Sequence, residues 1–236
     1  MDKTAHTLSY SSLKEFMKSP AHFIAYKNKQ KVETAAMRLG TAVHSAILEP
    51  DEYASLYAAT DLRKNTKAYK ELDTSKIWLN MSDYKTVEGC KRGVADNAEA
   101  SSLLSYCKNR EQEVTGVING VQFRGFCDAM NSTTVIDLKT TQDASPEQFT
   151  RSAYNFAYHL QAAIYLELTG AERYCILAVE TSAPYASVLY EFDSSFLDSG
   201  YAMLQKGIAA YRDWDGVAAG YDKYNGHKLE LPRWAK

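Results

Sequence analysis

The stretch EVTGVINGVQFRGFCDAMNSTTVIDLKTT, residues 113–141, decides the fold. Two runs rich in β-branched and aromatic residues flank Asn119-Gly120, a pair that accepts the positive φ angles of a two-residue hairpin turn. TTVIDLKTT then supplies a third strand. With a two-residue loop, Ile118 faces Val121, and counting back sets Glu113 opposite Phe126 and Glu111 opposite Asp128. Strict alternation places all four on one face of the hairpin. In the third strand the same period of two puts Asp137 and Lys139 on one face and turns Ile136 and Leu138 into an apolar layer. Three or four carboxylates and one lysine thus converge on one sheet surface. Carboxylates that close repel one another unless a cation neutralises them, and hard oxygen donors favour magnesium or manganese over zinc. A solvated strand edge is the commonplace alternative for a lone D-x-K, so the segments around it have to decide.

Upstream the chain reads as helical. Ser9 or Ser11 caps a helix through Leu13, Phe16 and Met17, Pro20 opens another with Phe23, Ile24 and Tyr26, and Met37 to Leu48 forms a third that Pro50 ends. In that third segment Leu39, Val43, Ala46 and Ile47 repeat at helical spacing, with His44 and Thr41 on an adjoining face. A mixed region from Tyr53 to Leu79 precedes one or two packing helices over residues 81–106. Downstream, Pro146 starts a helical stretch, YHLQAAIYLEL (158–168) is a helix stopped by Gly170, RYCILAVE and ASVLYEF are strands, and Phe196 to Trp214 is a last helix. The order predicts an α/β fold with a central mixed sheet flanked by helices. Residues 1–215 read as one domain, mainly helical over 1–105 with the catalytic core over 106–215, and residues 216–236 as a loosely attached tail.

Composition narrows the function classes. The 236 residues are 45% hydrophobic and carry a net charge of -2, which excludes a disordered chain. No run approaches the ~18 apolar residues of a membrane span, and the N-terminus lacks a signal-peptide core, so a cytoplasmic protein is expected. Cys90, Cys107, Cys127 and Cys175 are scattered without a C-x-x-C pair, which argues for core thiols rather than a zinc ribbon or a disulfide framework. Residues 1–70 hold 11 Lys/Arg against 7 Asp/Glu, while the remainder is acidic. Near-neutral balance taken alone counts against a nucleic-acid partner. Whole-chain charge, however, averages a metal-binding acidic pocket with the rest of the surface, and Lys27, Lys29 and Lys31 lie in the basic third.

The ordered set of segments resembles a known family. Asp128, then Asp137-Leu138-Lys139, looks like the core of the PD-(D/E)xK nuclease superfamily, with its restriction-endonuclease-like fold. LSYSSLKEFMKSPAHFIAYK (8–27), RLGTAVHSAILEP (38–50), VIDLKTTQDASPEQF (135–149) and YNFAYHLQAAIYLE (154–167) are similar, in order, to the opening segment, histidine helix, catalytic strand and Gln/Tyr helix of its RecE-like branch, the exodeoxyribonuclease VIII type of phage and prophage recombination systems. Cys127 stands where the family pattern has proline.

The resemblance implies roles position by position. Asp128 and Asp137 would bind one or two Mg2+ or Mn2+ ions with the main-chain carbonyl of Leu138, His44 would complete the site from the helical side, and Glu113 matches a frequently acidic strand position. Lys139 would orient water and stabilise charge on the phosphate. Gln161 and Tyr165 would support the site, and Thr140, Thr141 and Arg124 would face DNA. The implied activity is an exonuclease acting on double-stranded DNA ends, 5′ to 3′, in a homo-oligomeric ring with a single-strand annealing partner, encoded by a bacterial prophage or phage. An endonuclease of the same superfamily and a catalytically silent DNA- or protein-binding module are the alternatives. Against these readings, His44 as a satisfied core histidine and Gln161/Tyr165 as an amphipathic pair are the ordinary ones. The 17 tyrosines are assigned to the core and its rim, with no base-stacking role.

Overall fold

The computed structural model describes residues 7–30, 32–221, 226, 228 and 229. Lys31 and most of the tail beyond Tyr221 lie outside the described residues. Helix α1 (Tyr10–Lys18) opens on a capping box in which the Ser9 and Ser12 hydroxyls serve each other's backbone N–H. Ser19 caps α2 (Pro20–Asn28) ahead of Pro20, and Thr34 caps α3 (Ala35–Leu48). After α4 (Pro50–Leu56), the mixed region contains β1 (Tyr57–Thr60), α5 (Lys67–Lys70) and β2 (Ile77–Asn80), with β1 and β2 forming a small parallel sheet. The helical stretch that follows is two helices, α6 (Met81–Ala95) and α7 (Ala98–Tyr106). Asn97 divides them by accepting the Ala100 N–H, the usual competition of an Asn side chain with a continuing helix.

The hairpin joins β3 (Asn109–Ile118) to β4 (Val121–Met130) through Asn119 and Gly120, at φ 48° and 80°. There follow β5 (Thr134–Thr141), α8 (Pro146–Asn155), α9 (Tyr158–Thr169), β6 (Arg173–Glu180), β7 (Ser187–Glu191) and α10 (Ser194–Asp213). The main sheet runs β3-β4-β5-β6-β7, and only β5 and β6 are parallel. Their crossover carries α8 and α9, as a parallel pair requires.

Both faces of the sheet are covered, so the fold has two apolar layers. On one face Phe123, Val135, Tyr174 and Ile176 pack with Leu13 of α1, Leu160 and Ile164 of α9 and Leu204 of α10. On the other, Ile136, Leu138, Leu177 and Val179 pack with Val43 of α3 and Val87 of α6. The turning of Ile136 and Leu138 into an apolar layer agrees with the period-two reading. Past α10, Trp214 is buried and its Nε1 donates to the Val217 carbonyl at 2.7 Å, while Ala21 N–H donates to Ala219 at 3.1 Å. The described start of the tail is therefore tied to Trp214 and to α2.

Strict alternation fails at one place, and that place positions the site. Cys127 belongs to the layer under α9, whereas Ala129, two residues on, belongs to the layer under α3. Strand β4 thus twists at Asp128. Directly across the ladder, where Gln112 pairs with Cys127 and Arg110 with Ala129, Glu111 adopts φ 44°. Strands β4 and β5 pair at Ala129–Ile136 and Met130–Val135 and then separate. Beyond the split, the Asp128 carboxylate replaces the ladder by accepting the Leu138 N–H at 2.6 Å.

Candidate active site

Separated strands let groups from both faces of the sheet meet. On the α9 side, Asp137 is 2% exposed, and its Oδ1 accepts from Gln161 Nε2 at 2.7 Å. Its Oδ2 is ion-paired with Lys139 Nζ at 2.5 Å. The Lys139 ammonium also stands 5.0 Å from the Tyr158 ring centroid. On the α3 side, His44 Nδ1 is 3.7 Å from Asp128 Oδ2, and His44 also meets the Leu138 main chain. Ligand atoms of His44, Glu111 and Asp128 lie within 4.8 Å of one another. His44 and Glu111 open on a cleft of about 670 Å³ lined also by Gly40, Thr41, Glu49 and Thr140.

The electrostatics follow from burial among like charges. Asp128 is pushed well above the usual carboxylate range, first by burial and then by the Asp137 charge. Glu111 is raised by burial and by Glu49 and Asp137. His44 is lowered to about 4, first by burial and then by the Lys139 charge, so its imidazole is neutral near neutral pH. Burial alone would drive Lys139 down, but Asp137 and Asp128 outweigh it and raise it, so the ammonium keeps its proton.

A divalent cation fits this donor set. Asp128 and Glu111 are carboxyls held high by burial and by neighbouring negative charge, and His44 beside them is a neutral nitrogen donor. The repulsion among the carboxyls is relieved by positive charge between them, and the imidazole nitrogen is available to ligate it. Oxygen-rich ligation suits Mg2+ or Mn2+.

The residues singled out from sequence are distributed unevenly. His44, Asp128, Asp137, Leu138, Lys139 and Gln161 come together, and Thr140 lines the same cleft. Tyr165 sits one turn along α9 from Gln161, against Gly125, where an added Cβ would fall 2.5 Å from Tyr165 Cε1. Thr141 closes the strand exit, its hydroxyl donating to the Asp143 carbonyl at 3.1 Å. Glu113 does not join the cluster. Its carboxylate meets Arg124 Nε at 2.5 Å on the exposed outer face, and Arg124 also lies over Phe126 at 5.1 Å. The expectation that Glu111 and Glu113 share one surface with Asp128 is corrected by the twist at the Glu111–Asp128 pair. Glu111, placed opposite Asp128 by the register alone, is the strand acid in the cluster. Sequence reasoning passed over Glu49, one residue beyond the histidine helix, and Tyr158, one helical turn before Gln161.

The sequence profile of the PDDEXK-like domain of unknown function (DUF3799) matches residues 9–215. No curated protein sequence matches the chain. Among solved structures, a candidate exonuclease of Eubacterium rectale superposes with a TM-score of 0.62 at 16% identity, over 98% of this chain and 91% of that one. A phage-related exonuclease of Haemophilus somnus gives a TM-score of 0.40 at 14% identity, over 87% and 93%. An alkaline exonuclease of Laribacter hongkongensis gives 0.31 at 10%, over 87% and 88%. With the mixed sheet, the split strands and a profile match over most of its length, the protein belongs to the PDDEXK-like family DUF3799.

Proposed function

We propose that this protein is a divalent-metal-dependent nuclease that hydrolyses phosphodiester bonds of double-stranded DNA from an end. The carrying observation is the convergence of Glu111, Asp128, Asp137 and Lys139 where β4 and β5 separate, with His44 beside Asp128. His44, Glu111, Asp128, Asp137 and the Leu138 carbonyl would hold one or two ions. When bound, Mg2+ or Mn2+ supplies a lowered water pKa and charge stabilisation at the phosphorane and leaving oxygen.

The protein's own groups do the rest. Gln161 holds the Asp137 carboxylate in one orientation, and the Leu138 N–H does the same for Asp128. Lys139 retains its proton, so it acts as a fixed positive charge beside the phosphate and orients water by donation rather than by abstraction. Thr140 lines the cleft where a phosphate oxygen would accept from its hydroxyl. Attack at an end, 5′ to 3′ polarity, a ring of identical subunits and a single-strand annealing partner in phage-type recombination are supported by the family resemblance of the ordered segments.

Digestion of linear duplexes labelled at the 5′ or 3′ end, with Mg2+ and with chelator, tests the reading. Nucleotides should leave the 5′-ended strand only with metal, and covalently closed DNA should stay intact. Cutting of closed DNA would show an endonuclease, and no release with either Mg2+ or Mn2+ would show a silent module. Asp137→Ala or Lys139→Ala should abolish hydrolysis in a folded protein.

A further inference from the structure

A second cavity, of about 620 Å³, opens between α1, α9 and the connection from α8 to α9. Its size lies in the ~300–1,000 Å³ span of small-molecule sites. One wall is His159, 4% exposed, whose buried Nδ1 has no hydrogen-bond partner. The rim carries two exposed rings, Tyr154 at 62% and Phe156 at 54%, and the ammonium groups of Lys14 and Lys18.

The rings are prepared for stacking. Tyr154 lies nearly parallel to His159 at 5.4 Å and 13°, and Phe156 lies on Tyr158 at 5.7 Å and 26°. Each exposed ring is the outer member of a two-ring stack. The segment between them is held in place: the Phe156 carbonyl accepts from the Tyr10 hydroxyl and from Lys14 Nζ, and Ala157 turns left-handed at φ 60° and ψ 40°. Tyr158, under Phe156, also bears the Lys139 ammonium 5.0 Å from its ring centroid. An unbroken line of contacts therefore runs from the cavity to the candidate catalytic lysine.

We propose that this cavity is a stacking subsite for an unpaired nucleotide of the DNA strand being hydrolysed, with the base on Tyr154 and Phe156 and its phosphate toward Lys14. Lys18 is engaged by Glu15 at 2.7 Å, whereas Lys14 has no carboxylate within ion-pair distance among the described residues. Ring faces beside an ammonium that donates only to the Tyr10 hydroxyl and the Phe156 carbonyl among the described residues, leading to Lys139, match a nucleotide better than the apolar face of a second copy of the chain. The inference rests on the nuclease reading and adds where the strand lies on the approach to the cleft.

The test is titration of the full chain with a phosphorothioate-linked single strand carrying 2-aminopurine, in Mg2+, alongside digestion of ordinary linear duplex. Wild type should quench the 2-aminopurine fluorescence. Tyr154→Ala/Phe156→Ala should lose the quench and weaken strand binding by about 5- to 150-fold. Tyr154→Phe/Phe156→Tyr, which keeps both rings, should restore both. A folded double-alanine protein that quenches and binds like wild type overturns the proposal. So does a change in solution mass with unchanged strand binding, which would mark the surface as an interface between copies. Wild type that digests duplex without quenching refutes the subsite and leaves the nuclease reading intact, while wild type that neither digests nor binds DNA removes both.

Discussion

Replacing Gly125 by alanine tests whether α9 positions the candidate catalytic acid. The new Cβ would lie 2.5 Å from Tyr165 Cε1 and 3.0 Å from Cζ, about 0.9 Å short of the 3.4 Å at which ordinary contact begins. Tyr165 is 7% exposed and packs edge-on to Tyr174 at 6.4 Å, so it has little room to retreat. Overpacking of this kind costs about 1–3 kcal/mol, offset by the ~0.4–1 kcal/mol that Gly→Ala removes from unfolded-state entropy. At ~2–4 °C per kcal/mol for a protein of this size, the melting temperature should fall by no more than about 10 °C. The larger consequence is local. Displacing Tyr165 moves Gln161, one turn away on the same helix, and with it the 2.7 Å bond that orients Asp137. Misplacement near 1 Å costs on the order of 10²-fold in rate, and the loss should fall on kcat with KM for duplex little changed. Steady-state nucleotide release at a temperature well below the variant's melting point is the assay. Wild-type kcat in a folded Gly125→Ala protein would refute the link from Gly125 through Tyr165 and Gln161 to Asp137.

Three further outcomes are expected. Asp128→Asn, which keeps an oxygen for the Leu138 N–H but removes one of the repelling charges, should melt about 2–4 °C above wild type in chelator at pH 8 and below it with Mg2+, as differential scanning calorimetry would show. Glu111→Gln should weaken Mn2+ binding in isothermal titration at least about tenfold, whereas Glu113→Gln, which breaks only the exposed pair with Arg124, should leave it within about twofold. His159 is held below the ordinary imidazole value of 6.5 by burial, so the unfolded chain binds its proton first and stability present above pH ~6.5 is lost as pH falls. His159→Phe should flatten that part of the stability curve in urea titrations between pH 7 and 5.

Much of the fold was legible because its signals are local. The Asn-Gly turn sets the β3–β4 register, which pairs Ile118 with Val121 and brackets Glu111 and Asp128 between the Arg110–Ala129 and Gln112–Cys127 pairs. Pro20, Pro50, Pro146 and Gly170 punctuate helices as their backbone chemistry requires. The parallel pair β1–β2 was not legible, since four-residue strands carry too little periodicity, and the break at Asn97 hid inside a continuous helical pattern. The choice between Glu111 and Glu113 was missed because alternation assumes a flat ladder, and a flat ladder gives both acids the same face.

By itself the sequence determined the strand register, the α/β order and the ordered Asp128, Asp137, Lys139 and Gln161 set, since these depend on dihedral preferences and spacing within a few residues. Only the tertiary structure decided which acids meet. The twist at Asp128, with Glu111 at φ 44°, is imposed by packing β4 under α9 at Cys127 and under α3 at Ala129. That long-range constraint parts β4 from β5, brings His44 across the sheet, and leaves Tyr154 and Phe156 exposed beside Lys14, none of which a local pattern encodes.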